Sequence, residues 1–316
     1  MKVVVPIDHT PDSQSLIDAL IGMQWHLGTQ IKLITVVPRW VEFAAAQVTI
    51  PASLRELEAL AVELRNALRH CDVSFSVREG NPKAEIVGFA HEVDADLILM
   101  PATNDGASEG RWMGSVSQSV LENAGCPIFF ARSVDDPLTD PQSCFNSILV
   151  PIDDSVYAEA AMQWLLNFKW SAKTRFTFIS VIEDQGAFAL AEKSSQERIE
   201  RLSPALGSNM RYEVVSGDPT ETIISFACQY EADLIVIGSH ARTGLHRLML
   251  GSVSESLAFR GPCSVAVVRG ILAKDSSWHR TGVFTKPKIE PVHIERPRPL
   301  YSRSNDLPHV LPGGMH

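Results

Sequence analysis

Short apolar runs alternate along this chain with stretches whose apolar residues recur at helical spacing. Helices are expected near Ser13–Trp25 and Leu54–Leu68, and again near Tyr157–Phe168 and Glu192–Leu202. Alternation at this spacing predicts an α/β fold with a doubly wound parallel sheet, and near-continuous apolar strands agree because both sheet faces would be buried. The predicted strands are KVVVPI, IKLITVV, VSFSVR, DLILM and CPIFFA, followed by SILVPI, RFTFISVI, MRYEVVS, DLIVI and CSVAVV.

The second five runs repeat the first five, which predicts two tandem five-stranded domains. VVVPIDHTPDS returns as ILVPIDDSVYA, and Asp8 and Val36 lie 145 positions before Asp153 and Val181. Gly114 lies 137 positions before Gly251, so domain 1 has eight extra residues, which we place near 43–52. The predicted organisation is domain 1 at 1–132, a Pro- and Asp-rich linker at 133–145, domain 2 at 146–270 and a disordered tail at 271–316.

Composition narrows the classes of protein. The 316 residues are 45% hydrophobic, enough for two cores, but no apolar run approaches the ~18 residues of a membrane span. The N-terminus lacks the long apolar core and the small-residue cleavage site of a signal peptide, so none is expected. A net charge of −9 argues against general nucleic-acid binding by the whole surface. The five scattered cysteines, without a CxxC pair, predict a reduced, cytoplasmic protein without a zinc site.

The stretch GSHARTGLHRLMLGSVSESL, residues 238–257, has the spacing of a phosphate site. Gly238 follows a predicted buried strand, where ligands of open parallel sheets bind, and glycine allows close backbone approach. Gly251 and Ser252 precede a predicted helix, whose free N–H groups and dipole favour an anion. The hydroxyls of Ser252 and Ser254 are expected to donate further hydrogen bonds to phosphate oxygens. However, Ser252-x-x-Glu255 and Ser115-x-x-Gln118 could equally be capping boxes that satisfy the helices' own N–H groups. The residues alone leave both interpretations open.

Two widespread nucleotide motifs are absent from the sequence. No GxxxxGK[ST] occurs, and no GxGxxG follows the first strand. A P-loop ATPase and a standard dinucleotide fold are therefore disfavoured.

In both halves the chain resembles the universal stress protein family, over about 1–132 and 146–269. The resemblance rests on VPID, on EGNP and SGDP, on DADLILM and EADLIVI, and on GSVSxS, each in the same order twice. Nucleotide-binding members carry Gly-x-x-Gly, nine residues, then Gly-Ser or Gly-Thr. Domain 2 matches this pattern except at Ala241. The resemblance implies a site for ATP or a related adenine nucleotide in domain 2, formed by Asp153, Val181, Gly238, His240, Ala241, Arg242, Gly251, Ser252, Val253 and Ser254.

Domain 1 departs from the same pattern. Pro101 replaces the leading glycine, removes an N–H donor and fixes φ, while Asn104 replaces the second glycine. Asp105 stands where domain 2 has Arg242, and Glu109 adds a second negative charge to the same loop. Domain 1 is therefore predicted to be mainly structural, with a degenerate site formed by Asp8, Val36, Pro101, Asn104, Gly114, Ser115 and Ser117.

Other candidate groups have ordinary structural interpretations. His9, His240 and His246 lack an accompanying acid, base and nucleophile set. Asp153 and Asp154 could bind Mg²⁺ through a nucleotide's phosphates, but Asp154 or Ser155 as a helix cap is the preferred interpretation. Cys126 and Cys263, at equivalent starts of the last strands, are expected to be small buried thiols.

Three classes of function are compatible with a chain of this kind. The first is a stress-response regulator that binds an adenine nucleotide. The second is a scaffold, in which the two domains form a pseudo-dimer through their apolar last strands and recruit a protein partner; a homodimer of whole chains stays open. The third, an enzyme such as a nucleotidyl transferase, is disfavoured because HIGH-type and SGGxDS-type motifs are absent, although slow hydrolysis of bound ATP stays open. The sequence favours the first.

Overall fold

The apolar runs form a single ten-stranded sheet. The computed structural model describes residues 1–8, 13–38, 50–102, 114–132, 145–153, 155–182, 196, 199, 202, 204–239 and 251–269. The strand order is β3-β2-β1-β4-β5-β10-β9-β6-β7-β8, and all ten strands belong to one compact unit. The predicted tail and nearly all of the predicted linker lie outside the described residues.

The described residues of domain 1 form the first five strands and four helices. In chain order these are β1 (Lys2–Pro6), α1 (Ser13–Gly22), β2 (Gln30–Val37), α2 (Ile50–Ala67), β3 (Asp72–Glu79), α3 (Pro82–Glu92), β4 (Leu97–Pro101), α4 (Ser115–Asn123) and β5 (Ile128–Ala131).

Domain 2 repeats that order. It consists of β6 (Ser147–Pro151), α5 (Val156–Leu165), β7 (Arg175–Ile182), β8 (Met210–Ser216), α6 (Pro219–Gln229), β9 (Leu234–Ser239), α7 (Ser252–Arg260) and β10 (Ser264–Arg269). Between β7 and β8, residues 196, 199, 202 and 204–206 are helical, within and just beyond the predicted helix Glu192–Leu202.

The predicted fold class is confirmed. Within each domain every strand pair is parallel, and helices cover both faces of the sheet, forming two apolar clusters. Each cluster includes residues of both domains, so the core runs through the junction without a break. No helix among the described residues is long and apolar enough to cross a membrane.

The two domains meet through their last strands, the pairing expected for a pseudo-dimer. β5 and β10 are antiparallel, with Phe129 opposite Ala266. These two residues are equivalent by the 137-residue offset, so the pair lies on a pseudo-two-fold axis. In the same apolar cluster as Phe129 and Ala266, Trp25 of domain 1 contacts Phe168 of domain 2 edge-on, at 5.7 Å between ring centroids. The junction therefore has the isologous arrangement of a symmetric dimer within one chain.

Candidate functional site

The order of strands reverses once in each domain, and this creates a crevice. In domain 2 the reversal lies between β6 and β9, so Asp153 and Gly238 come to neighbouring strand ends. In domain 1 the reversal lies between β1 and β4, with Asp8 and Pro101 at the matching places. Ligands of doubly wound sheets bind at this topological position.

Helix α7 is the helix that follows β9 along the chain. Its N-cap residue is Gly251, which has no side chain to act as a cap. The first intrahelical backbone bond at this end runs from the Glu255 N–H to the Gly251 carbonyl, at 3.0 Å. Ser252, Val253 and Ser254 thus present N–H groups that the helix itself does not satisfy.

The capping-box alternative is wrong at both helices. A capping box requires serine at the N-cap, but Ser252 and Ser115 are already the first helical residues. Glycines occupy both N-cap positions, at φ −67° in α7 and φ −68° in α4, so neither N-cap residue has a side chain that could cap its helix. Because any residue can adopt these φ values, backbone conformation does not explain why Gly251 and Gly114 are glycines.

The Ser254 hydroxyl points into the protein. Ser254 is 2% exposed, and its hydroxyl donates to the Gly251 carbonyl at 3.0 Å. Ser117 in domain 1 is equally buried and donates to the Pro101 carbonyl at 3.5 Å. The Ser254 proton expected to reach a phosphate is therefore used within the helix turn, and its backbone N–H is the group left for an anion.

Asp153 and Asp8 organise the turns that follow the first strand of each domain. Asp153 Oδ1 accepts from both the backbone N–H and the hydroxyl of Ser155. Ser155 in turn caps α5, accepting from the Ala158 N–H at 3.2 Å, as the sequence predicted for Asp154 or Ser155. In domain 1, Ser13 donates to the side chain and to the carbonyl of Asp8, at 3.0 Å and 2.9 Å.

Two buried hydroxyls that sequence reasoning missed hold these turns against the second strand. Ser180 of β7 donates to the Ile152 carbonyl, and Thr35 of β2 donates to the Ile7 carbonyl, each at 2.9 Å. They lie 145 positions apart, like Asp8 and Asp153, so the repeat spacing could have revealed them. The next residues along, Val181 and Val36, are half-buried near the ends of β7 and β2.

Gly238 is a glycine for a packing reason. A Cβ at this position would lie 2.2 Å from the carbonyl oxygen of Tyr157 and 2.9 Å from the amide nitrogen of Ala158. The close approach expected for a ligand is thus already made by the first turn of α5. Pro101 lies at the equivalent position of domain 1 and carries side-chain atoms there. Helix α1 begins at Ser13, the counterpart of Ala158, whereas α5 begins two residues earlier, at Val156.

Domain 1 keeps a recess on the β2 side of Asp8. Its volume is about 350 Å³, at the lower end of the range for small-molecule pockets. It is lined by Ile7, Asp8, Thr35, Ser53, Glu56, Leu57 and Leu60. The domain predicted to be structural therefore still offers space beside its aspartate, with two carboxylates at the rim.

Several predicted site residues cannot be placed. His240, Ala241, Arg242 and Asn104 lie outside the described residues, as do Asp154, Asp105, Glu109, His9 and His246. Within the described ranges, no group of three or more His, Cys, Asp or Glu side chains is arranged to hold a metal ion.

Cys126 is buried, as predicted, whereas Cys263 is half-buried. Desolvation raises the pKa of both thiols to about 12, against the opposing effect of a nearby arginine in each case. A thiol with such a pKa is almost entirely protonated at neutral pH, so both cysteines are expected to react slowly.

Comparison with known proteins agrees with this architecture. A profile of the universal stress protein family matches residues 1–132 and 145–269. Universal stress proteins of Mycobacterium bovis and Mycobacterium tuberculosis are 28% identical over 234 residues, covering 68% of this chain and 76% of theirs. A crystal structure of a universal stress protein from Archaeoglobus fulgidus has a TM-score of 0.64 at 22% identity, covering 85% of this chain and 98% of that one. At this identity the structural likeness concerns the fold alone.

Proposed function

We propose, from the premise that this chain belongs to the universal stress protein family, that domain 2 binds an adenine nucleotide such as ATP. In this proposal domain 1 does not bind the triphosphate, and the protein acts in the stress response as a regulator whose state depends on nucleotide occupancy. Binding rather than catalysis is proposed, because Asp153 is used to organise its own turn.

The observation that carries the proposal is the N-terminus of α7, where the N-cap residue is a glycine and supplies no capping side chain. Three consecutive N–H groups lie in the first turn of this helix, at the carboxyl edge of the sheet where β9 ends. Phosphate oxygens satisfy such groups and interact favourably with the positive end of the helix dipole. Glycine at the cap, where φ does not require it, leaves room for a ligand's oxygen atoms close to the backbone.

Charge distinguishes the two domains at this place. Residues 240–250 of domain 2 contain Arg242 and Arg247 and no acidic residue. Residues 103–113 of domain 1 contain Asp105 and Glu109 with a single arginine, Arg111. Cationic residues favour a triphosphate and acidic ones oppose it, so the proposal assigns the nucleotide to domain 2.

Asp153 would contact the nucleoside half of the ligand. The family pattern assigns it hydrogen bonds from ribose or adenine, in addition to the two bonds that its Oδ1 accepts from Ser155. A Mg²⁺ ion would enter with the phosphates rather than bind in advance.

Nucleotide content is the direct test. Protein purified without added nucleotide is denatured, and the released small molecules are identified by mass spectrometry. Calorimetry against ATP–Mg²⁺ is performed on the emptied protein. We expect about one adenine nucleotide per chain. Two per chain would contradict the assignment to a single domain, and neither release nor binding heat at millimolar ATP would contradict the proposal as a whole.

A matched pair of substitutions tests the location. Gly251→Val places a branched side chain beside the proposed phosphate position and should weaken ATP binding by about a hundredfold or more. Gly114→Val makes the same change at the equivalent cap of domain 1 and should alter affinity less than about twofold. Circular dichroism establishes that both variants are folded. Equal losses in the two variants would contradict the one-site proposal.

A nucleotide-independent scaffold is the second candidate. The observation that favours it is the junction, where one sheet and two apolar clusters span both domains. Such a body could present a fixed surface to a protein partner. Absence of nucleotide from the purified protein would favour this function over the first.

A further inference from the structure

Two arginines cross the junction between the domains. Arg132 directly follows β5, and Arg269 ends β10, at positions related by the 137-residue repeat offset. Arg132 is 8% exposed and Arg269 is 2% exposed. Each side chain reaches the last turn of a helix in the other domain. Sequence reasoning did not single them out, although their equivalent spacing was visible.

Arg132 joins domain 1 to α7. Its Nη2 donates to the Ala258 carbonyl at 2.9 Å, and its Nε donates to the Cys263 carbonyl at 2.8 Å. Its backbone N–H donates to the Ser264 hydroxyl at 3.1 Å. Carbonyls in the last turn of a helix lack intrahelical partners, and a cation there complements the helix dipole. Charge-assisted bonds of this kind hold the end of α7 in one place.

Arg269 makes the reciprocal but smaller contact with α4. Its Nη2 donates to the carbonyl of Leu121, the equivalent of Ala258. Its Nε and Nη1 are buried and meet no acceptor within the described part of the chain. Domain 1 has Pro127 where domain 2 has Ser264, so the hydroxyl that accepts from Arg132 has no counterpart. The C-terminal end of α7 is therefore held more firmly than that of α4.

The contact and the candidate phosphate site lie at opposite ends of one short helix. α7 has nine residues and is therefore about 13 Å long. Leu257 and Ala258 are fully buried, so the helix is packed against the core near the Arg132 contact. A helix of this length moves as a rigid rod. Its direction at Ala258 consequently sets where the N–H groups of Ser252, Val253 and Ser254 point.

We propose that Arg132 of domain 1 is a positioning residue for the phosphate site of domain 2. It orients α7 from the far end without touching the ligand, so domain 1 takes part in nucleotide binding although it does not bind the triphosphate. This inference rests on the proposed function of α7. By thermodynamic linkage, an occupied site stabilises the Arg132 contact by the same factor, which couples nucleotide to the junction between the domains.

The test compares Arg132→Met with Arg269→Met. Both changes keep an apolar stem and remove a buried guanidinium from equivalent positions, but only the first releases α7. Calorimetry with ATP–Mg²⁺ should give a dissociation constant about tenfold higher for Arg132→Met and changed less than about twofold for Arg269→Met. Equal affinities of the two variants would overturn the proposal, because a merely structural contribution of the arginines would affect both.

Hydrogen exchange separates this inference from the proposed function. In protein without nucleotide, Arg132→Met should speed amide exchange in α7, whereas Arg269→Met should speed it in α4. If the wild type binds no nucleotide, the proposed function fails. If amide exchange in α7 is unchanged in Arg132→Met, Arg132 does not orient the helix, whichever result the nucleotide measurement gives. Should Arg132→Met fail to fold, Arg132→Lys retains the cation without the fork. A wild-type affinity in that folded variant would overturn the proposal.

Discussion

Domains 1 and 2 share the same strand order and differ at the crevice beside the carboxyl ends of their strands. Their strand orders, their first-turn aspartates and the hydroxyls of Thr35 and Ser180 match position by position. At the end of β4 domain 1 has Pro101, and at the end of β9 domain 2 has Gly238. The comparison teaches that a repeated fold can keep the hydrogen bonds that fix its first turns while the loops beside its two crevices diverge in charge.

The comparison also separates two reasons for a glycine. Gly238 is required by the backbone of α5, whereas the conformation of Gly251 would suit any residue. The glycines of this one motif thus differ: packing against α5 accounts for Gly238, whereas we attribute Gly251 to the proposed phosphate site. Stability measurements can distinguish these two contributions.

The largest expected effect is that of Gly238→Ala. The new Cβ would meet backbone atoms of Tyr157 and Ala158, which cannot move without shifting α5. We expect the free energy of unfolding to fall by about 3 kcal/mol, measured by urea denaturation. Gly88→Ala serves as the control, because Gly88 lies exposed in α3 with nothing near its Cβ position. That change should stabilise the protein by about 0.5–1 kcal/mol. An unaffected stability in Gly238→Ala would show that α5 does not constrain the end of β9.

A smaller effect should distinguish true caps from serines that only resemble them. Ser155→Ala and Asp218→Ala each remove a side chain that accepts from the first turn of α5 or α6. Each should lower the unfolding free energy by about 1 kcal/mol. Ser252→Ala and Ser115→Ala remove no cap and should change it by less than about 0.5 kcal/mol. A loss of about 1 kcal/mol in Ser252→Ala would restore the capping-box interpretation.

The smallest effect concerns thiol reactivity, where the two domains should behave alike. In a Cys144→Ser background at about pH 8, iodoacetamide should modify exposed Cys228 first. Cys126 and Cys263, whose pKa values burial raises to about 12, should react only after unfolding. Peptide mapping by mass spectrometry gives the order. Rapid modification of Cys126 or Cys263 in the folded protein would instead favour a redox role for these two cysteines.

Much of the fold was predictable because its signals are local. Apolar runs marked the strands, and EGNP and SGDP marked the starts of α3 and α6. In both turns a glycine at φ +157° or +155° precedes a capping side chain, Asn81 or Asp218, and a proline in the first helical turn. The serines of GSVS gave the wrong capping-box interpretation. Whether a residue is the N-cap or the first helical residue depends on a shift of one position along the chain, and the spacing of residues in the sequence does not show that shift.

The sequence by itself determined that there are two α/β domains, where their strands and turns lie, and that their phosphate motifs differ, because periodicity and turn chemistry act between near neighbours in the chain. Only the tertiary structure decided that α5 packs onto Gly238, that Ser254 turns inward, and that Arg132 and Arg269 cross to the opposite domain. These contacts join residues far apart in the chain. Their geometry depends on how β5 and β10 pair and on how the helices then pack, which no stretch of sequence encodes alone.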